Sequence, residues 1–255
     1  MRGPDAISHR ITDVGLTDVR VNPRTVWQHV WLTTTSGLTG LGEATLEFAN
    51  ADFGRHLEHR TRQLIGRDLA DDPLQPLRQT AMDLSDRTIL SALDQALMDL
   101  RAQIAGQSLC QFLGAADADG TLPLYANINR ATQDRTPAGF AENAKAAIAD
   151  GFQAIKVAPF DDLTPDLCGT PDAKPFIDAG LDRLRATREA IGTLDLMVDC
   201  HWRFTESAAQ ALIPALREID IVWLECPLPE TCENIQDLSQ IRRTANRHGM
   251  RLCGL

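Results

Sequence analysis

From residue 122 onwards, the sequence alternates short apolar segments with longer segments of helical periodicity. Strands are predicted over five segments: 122–129, 154–159, 194–201, 221–227 and 251–255. Helices are predicted over the four segments between them: 137–150, 177–191, 205–219 and 233–248. Since parallel strands need crossover connections of about this length, the alternation predicts a series of βα units with a parallel sheet. It allows either a doubly wound sheet or a (β/α)8 barrel.

The predicted strand over 194–201 changes abruptly from apolar to polar at its carboxyl end. Side chains alternate between the two faces of a strand, so Met197, Asp199 and His201 are predicted to share one face. A buried strand covered by helices has no structural need for polar residues. A carboxylate and an imidazole at this end of a strand are therefore typical of an α/β active site.

The other predicted strands also carry polar residues near their carboxyl ends: Asn127, Lys156 and Glu225. In a parallel barrel these ends form one rim, where side chains from different strands converge. Asp199 and Glu225 belong to neighbouring strands, and two anions brought together in a partly buried site repel each other and lose hydration. A hard divalent cation removes that penalty and prefers oxygen ligands. The pair therefore predicts a magnesium site.

A different architecture is predicted before the βα units begin. Three β-rich segments over 11–44, with a hairpin signal at Ser36-Gly37, predict a three-stranded antiparallel sheet. Gly40 and Gly42 lack the rest of a phosphate-loop motif and are interpreted as a tight turn. About three helices are predicted over 52–114, the clearest with an apolar stripe over 89–104. A composition rich in Ala, Asp and Gly over 115–121 predicts a boundary between domains of residues 1–120 and 121–255.

The composition excludes some classes of partner and location. A formal net charge of −10, from 25 basic and 35 acidic residues, argues against a nucleic-acid surface. No apolar run reaches the ~20 residues of a membrane span, and the polar segment 1–12 lacks the apolar core of a signal peptide. The six cysteines have no CxxC spacing, which favours reduced thiols in a cytoplasmic protein over disulfides or a zinc cluster.

Five motifs, in order along the chain, resemble those of the enolase superfamily in its mandelate racemase/muconate lactonizing enzyme branch. Two lie in the first half: Gly37-x-x-Gly40-x-Gly42-Glu43-Ala44 and Ser91-Ala92-Leu93-Asp94-x-Ala96-Leu97-x-Asp99-Leu100. Three lie in the βα half: Ile155-Lys156-Val157-Ala158, Val198-Asp199-x-His201 and Trp223-Leu224-Glu225-x-Pro227. The similarity runs from about residue 11 to the end of the chain.

The resemblance implies an α+β capping domain followed by a (β/α)7β barrel of the TIM type. It implies Mg²⁺ held by an acid from each of strands three, four and five, a base that removes the proton α to a substrate carboxylate, and an enediolate intermediate. Asp199 and Glu225 match the first two ligands. The third is a Glu just after strand five, and the Asp–His dyad of strands six and seven also has no match here. The resemblance therefore implies a chain truncated to the capping domain and about half a barrel, which by itself is expected to be inactive and to associate.

Two departures from the branch point to a subclass. Ala158 stands where the branch often has a second strand-two Lys, which serves as a base. His201 stands where many members have Asn, and Asp-x-His resembles the galactonate, mannonate and gluconate dehydratases, in which this His protonates a departing β-hydroxyl. The resemblance thus implies an acid-sugar dehydratase with His201 and Lys156 as catalytic residues and Arg203 and Asn127 as substrate-binding residues.

Several further implications and alternatives stay open. The substrate would be a small sugar acid, selected in part by the loops 21–26 and 45–53, and the full-length protein would be a homo-oligomer. One alternative is a racemase or epimerase with Lys156 as one base, although Ala158 removes the second base on that strand. Another is an inactive fragment. A doubly wound hydrolase with an Asp–His pair is a weak alternative, because the sequence has no GxSxG nucleophile elbow.

Overall fold

The structure, a computed structural model, describes residues 8–21, 26–46, 53–79, 83–115 and 122–254. The chain divides into two compact units, Met1–Thr121 and Leu122–Leu255. Most of the loops 21–26 and 45–53, which were predicted to select the substrate, lies outside the described residues. The same holds for the predicted linker 115–121, of which only Ala115 is described.

The first unit contains an antiparallel sheet of three strands in the order β1-β2-β3: β1 (Ile11–Arg20), β2 (Val26–Thr34) and β3 (Thr39–Glu43). The turn between β2 and β3 includes Gly37, whose φ of +79° favours glycine. Val30 and Leu32 of β2 point into the core of the unit and are fully buried. The predicted three-stranded antiparallel sheet is confirmed.

Four helices of the first unit are described: α1 (Phe53–Arg62), α2 (Gln75–Arg78), α3 (Leu84–Ile104) and α4 (Leu109–Phe112). The Asp83 side chain caps α3 by accepting from the backbone N–H of Asp86, which satisfies one of the free donors of the first turn. Most of the predicted apolar stripe is buried and packs on the sheet, with these members: Ile89, Leu93, Ala96, Leu97 and Leu100. Its last predicted member, Ile104, is 40% exposed at the end of the helix.

Gly40 and Gly42 lie within β3, so their interpretation as a tight turn was wrong. A Cβ atom on Gly40 would stand 2.2 Å from the Ala96 carbonyl oxygen, and one on Gly42 would stand 1.9 Å from the Ala92 carbonyl oxygen. The two glycines therefore allow β3 to approach the backbone of α3 more closely than any side chain would permit.

The second unit contains a parallel sheet of five strands in the order β4-β5-β6-β7-β8. The strands are β4 (Ala126–Asn127), β5 (Ala154–Val157), β6 (Asp195–Asp199), β7 (Ile221–Glu225) and β8 (Arg251–Cys253). Each strand pairs with the next strand along the chain. A doubly wound sheet reverses its strand order at a switch point, whereas a barrel adds strands in sequence order. The observed order is that of a partial TIM-type barrel.

The strands are connected through α5 (Pro137–Ala149), α6 (Pro165–Cys168), a 3-10 turn (Pro171–Ala173), α7 (Lys174–Ile191), α8 (Glu206–Glu218) and α9 (Ile235–Arg247). Thr136 and Thr205 cap α5 and α8 with their hydroxyl oxygens, as expected for residues at this position. Among the described helices, none has both the length and the apolar content needed to cross a membrane.

All five predicted strands of this unit are longer than the observed ones, and two of the differences affect the site. The segment 122–129 contains only the two-residue strand β4. The strand predicted over 194–201 ends at Asp199, and His201 lies in the following turn with a φ of +47°. The Asp199 side chain accepts a hydrogen bond from the His201 backbone N–H at 3.0 Å, which turns the chain away from the sheet.

Candidate active site

Two carboxylates meet at the carboxyl edge of the parallel sheet. The strand register places Asp199 of β6 directly beside Glu225 of β7. Both are buried, with 7% and 3% of their surfaces exposed. Buried carboxylates need a compensating cation or hydrogen bonds, so this edge must supply one.

Lys156 of β5 supplies a positive charge. Its register partner is Met197, two residues below Asp199, and its long side chain extends to the edge. The ammonium Nζ donates to Glu225 Oε1 at 2.7 Å and lies 3.9 Å from Asp199 Oδ2. Burial works to lower the pKa of Lys156, but the hydrogen bond and charge of Glu225 outweigh it, so this pKa is raised and the amine stays protonated.

His201 forms the second contact with Asp199. Its Nε2 lies 3.0 Å from Asp199 Oδ2, while 43% of the His201 side chain remains exposed. Burial tends to raise the pKa of Asp199, but the hydrogen bonds from the His201 side chain and backbone and the nearby positive charges lower it below its usual value. The edge thus pairs an ionised carboxylate with a solvent-accessible imidazole.

The backbone around the carboxylates is strained. His201, Trp202 and Cys226 have φ values of +47°, +59° and +45°, a region that residues other than glycine rarely adopt. Hydrogen bonds between the two turns hold this conformation, including that from the Trp202 N–H to the Cys226 carbonyl at 2.7 Å. Strain of this kind costs about 1–3 kcal/mol per residue and occurs preferentially at functional sites.

A third possible ligand, Cys226, was not predicted from the sequence. One ligand atom each from Asp199, Glu225 and Cys226 lies within 4.8 Å of the others. Burial, with a hydrogen bond to Glu230, raises the pKa of the Cys226 thiol in the absence of metal. Two of the three donors are carboxylates, which fit a hard cation such as Mg²⁺ better than a soft metal. The position of Cys226 directly after Glu225 was the available sequence signal.

The two predicted substrate-binding residues have different surroundings. The Arg203 guanidinium donates through NH1 to the carbonyl oxygens of Asp161 and, at 2.8 Å, Leu163, so its observed contacts hold the loop after β5. Asn127 is exposed beside Lys156 in the register, and its Oδ1 accepts from the Asn129 N–H at 3.2 Å. The structure therefore brings Lys156, Asp199, His201 and Glu225 into contact. Among the described residues, no hydrogen bond joins Arg203 or Asn127 to that group.

Sequence reasoning also missed the ion-pair network around Asp161. Arg135 forms a bidentate pair with this carboxylate, with both nitrogen–oxygen distances at 2.6 Å. Arg135 also donates to the Ala158 carbonyl at 2.7 Å, and Arg183 donates to the Arg135 carbonyl at 2.7 Å. The network joins the loops that follow β4 and β5, beside the residues of the site.

A sheet of sequential parallel strands that follows an α+β unit, with acids at the ends of neighbouring strands, defines an enolase-type barrel protein. Two family models match the chain in this order. The mandelate racemase/muconate lactonizing enzyme N-terminal domain matches residues 19–114, and the enolase C-terminal domain-like model matches residues 139–254. The chain belongs to the mandelate racemase/muconate lactonizing enzyme family of the enolase superfamily.

Similar proteins agree with this assignment. A D-galactonate dehydratase family member of Streptomyces bingchenggensis is 31% identical over 260 residues, covering 92% of this chain and 62% of the relative. A D-mannonate dehydratase of Caulobacter sp. is 30% identical over 234 residues, covering 78% of this chain and 54% of the relative. The chain thus spans between about half and three-fifths of the length of these relatives.

A solved structure shows the same fold. The mandelate racemase/muconate lactonizing enzyme of Sulfitobacter sp. superposes on the chain with a TM-score of 0.80 at 20% sequence identity. The superposition covers 97% of this chain and 65% of the other. At this identity the likeness concerns the fold, and the family assignment rests on the matching domain models.

Proposed function

We propose that this chain provides the capping domain and the first metal-binding strands of an Mg²⁺-dependent acid-sugar dehydratase. The observation that carries the proposal is the contact between an exposed imidazole and a buried carboxylate, at the edge where a second carboxylate also lies. This combination supplies both an acid for a leaving group and ligands for a hard cation. The dehydratase names of the relatives support the same reaction class.

Asp199 and Glu225 would hold the Mg²⁺ ion. When bound, the ion would offset the negative charge that develops on the substrate carboxylate as its α proton leaves. The buried position of both acids limits competition from water and strengthens their interaction with a cation.

His201 would protonate the departing hydroxyl. In the proposed reaction a base takes the α proton, the β C–O bond breaks, and the hydroxyl leaves as water with the proton from the imidazolium. The resulting enol then becomes a 2-keto acid. The Asp199 carboxylate orients the ring, while the exposed part of the side chain allows contact with a substrate. The base would come from the part of the barrel that the relatives have beyond the matched residues.

The alternative, a racemase or epimerase, is less well supported. It needs a base on each face of the substrate carbon, and Lys156 is the amine on β5 that could serve as one. The ammonium of Lys156 is held by Glu225 at 2.7 Å, and Ala158 has no basic group. The sugar acid, the homo-oligomer and the cytoplasmic location inferred from the sequence stay predictions.

The experiment that tests the proposed function separates proton removal from elimination. This chain would be fused to the unmatched remainder of the Streptomyces relative and incubated with D-galactonate, D-mannonate and D-gluconate in D₂O. We expect conversion of at least one acid to a 2-keto acid. In His201→Asn, elimination should fall by about 10²- to 10⁴-fold while deuterium still enters the α position, because only the leaving-group acid is lost.

The exposed His59→Asn is the matched control, and its elimination rate should equal that of the unsubstituted fusion. Elimination at an unchanged rate in His201→Asn would contradict the role of His201, and no conversion of any acid by a folded fusion would contradict the dehydratase assignment. The 255-residue chain alone is expected to show no turnover. Turnover by a purified monomer of that chain would show this last expectation to be wrong.

A further inference from the structure

Lys156 is a buried amine that faces both proposed magnesium ligands. Only 9% of its side chain is exposed, and its ammonium is shared between Glu225 at 2.7 Å and Asp199 at 3.9 Å. We propose that Lys156 is a resident counter-cation, which neutralises the two carboxylates while no metal is bound and competes with the divalent ion for Glu225. This inference rests on the proposed function, because it takes Asp199 and Glu225 as the metal ligands.

The two carboxylates need a positive charge between them. Asp199 and Glu225 are register partners on neighbouring strands, and their side chains are 9% and 5% exposed. Two like charges at this depth repel each other, and water cannot hydrate them well. The Lys156 ammonium is the cation that contacts both, so it stabilises the edge of the sheet in the absence of metal.

Lys156 and a bound metal ion would use the same carboxylate. The ammonium donates directly to Glu225 Oε1, one of the atoms that can bind a hard cation. A divalent ion on the same carboxylate would repel the ammonium at short range. The two cations therefore oppose each other at Glu225, and each weakens the binding of the other.

Lys156 has another favourable partner in the Tyr125 ring. Its Nζ lies 5.3 Å from the centroid of the Tyr125 ring, within the range of a cation–π interaction. Trp223 packs edge-on against this ring, with the centroids 5.7 Å apart, and holds the ring in place. The ammonium can thus leave Glu225 and remain close to the ring face, which lowers the cost of its displacement.

The competition predicts the direction in which a substitution of Lys156 changes metal affinity and stability. Replacing Lys156 by a neutral residue changes the summed charge of the three side chains from −1 to −2. A divalent ion should then bind more tightly, but the protein without metal should be less stable. If Lys156 served only to orient Glu225, its loss would instead weaken metal binding.

The test compares the unsubstituted chain with Lys156→Met and Lys156→Gln. Thermal unfolding is measured in chelator and in MgCl₂, and Mg²⁺ affinity is measured by titration calorimetry. We expect both variants to unfold at a lower temperature than the unsubstituted chain in chelator. MgCl₂ should raise their unfolding temperatures by more than it raises that of the unsubstituted chain. Both should bind Mg²⁺ about tenfold more tightly, a difference of ~1.4 kcal/mol in binding free energy. Lys156→Gln can still donate a hydrogen bond to Glu225, so it provides the result if Lys156→Met does not fold.

The control is Lys174→Met, which removes an exposed lysine paired with Asp178 and should behave like the unsubstituted chain. Equal or weaker Mg²⁺ affinity in the Lys156 variants, with a measurable affinity in the unsubstituted chain, would overturn the competition and leave the metal site intact. No response to MgCl₂ in any of the proteins would overturn metal binding by these two carboxylates alone, and with it this inference, whereas the proposed function is tested separately by the fused protein.

Discussion

Single residues decide how closely the backbones pack in the first unit. A Cβ atom on Gly42 would lie 1.9 Å from the Ala92 carbonyl oxygen. The backbones of β3 and α3 could make room for it only if the whole strand moved. Gly54 in α1 has nothing within 4 Å of the position of its Cβ. The same change, glycine to alanine, should therefore have opposite effects at the two positions.

We expect Gly42→Ala to lower the free energy of unfolding by about 1–3 kcal/mol, because overpacking forces β3 away from α3. Gly54→Ala should raise this free energy by about 0.4–1 kcal/mol, because it restricts the unfolded chain without a new contact in the helix. Urea unfolding followed by circular dichroism measures both. Equal stabilities of the two variants would contradict the close approach of β3 and α3.

At the same scale, the sequence predicted some site residues better than others. Asp199, Glu225 and Lys156 follow the two-residue period of strands, so their meeting at one edge could be expected from the pattern. His201 contacts Asp199, but through a left-handed turn and not through strand alternation. Periodicity gives no information on a turn of this kind, since it describes only regular structure.

Among the elements, the loop after β5 is held from three directions. Asp161 lies in this loop and pairs with Arg135 and Arg183, while Arg203 reaches its backbone carbonyls from the turn after β6. Arg203 lies two residues beyond His201, so its hydrogen bonds also fix the end of the turn that carries the imidazole. The two loops are some 40 residues apart in sequence, so the contact between them depends on the final conformations of both. Nothing in the sequence indicated this contact, and the prediction for Arg203 was therefore a substrate-binding role.

Arg203→Ala removes the side chain that joins the turn after β6 to the loop after β5. Loss of the guanidinium leaves the carbonyls of Asp161 and Leu163 without this donor and frees the turn after β6. We expect hydrogen exchange at the amides of Trp202 and Phe204 to become about 10- to 100-fold faster, which corresponds to a typical loss of about 1.5–3 kcal/mol for bonds to a charged group. Mass spectrometry or NMR measures these rates.

Arg243→Ala serves as the comparison, since this exposed arginine donates to Ser239 within its own helix. Its exchange rates at Trp202 and Phe204 should match those of the unsubstituted chain. Unchanged rates in Arg203→Ala would indicate that the hydrogen bonds between the two turns are sufficient by themselves, and that Arg203 is available for another role.

For the whole molecule, the order of the helices and strands was predictable from periodicity, but the pairing of the strands was not. The alternation of apolar and helical segments indicated parallel βα units, because each period is a local property of the chain. The choice between a doubly wound sheet and a barrel depends on which strands pair, a non-local property that the register supplies. The family motifs favoured the barrel, which is the fold observed.

The parallel sheet has an unpaired edge at its last described strand. Among the described strands, β8 pairs with β7 on one side only, and the Cys253 carbonyl accepts from the Cys226 N–H at 3.0 Å on that side. Polar backbone groups alternate in direction along a strand, so those of Leu252 face the open edge. An unpaired edge is a template for another chain, and we expect the 255-residue chain to self-associate as its concentration rises.

Sedimentation velocity across a wide range of concentration measures this association, and two substitutions to lysine locate it. Because Leu252 packs in part against the core, the variants are compared only where their circular dichroism equals that of the unsubstituted chain. Leu252→Lys places a charge on the edge strand and should shift the equilibrium towards the monomer, because lysines on edge strands oppose pairing between chains. Leu113→Lys makes the same change at an exposed position outside the sheet and should leave the association unchanged. An equal shift of the equilibrium towards the monomer in both variants would indicate that exposed apolar surface in general causes the association. A chain that stays monomeric throughout would contradict the role of the β8 edge.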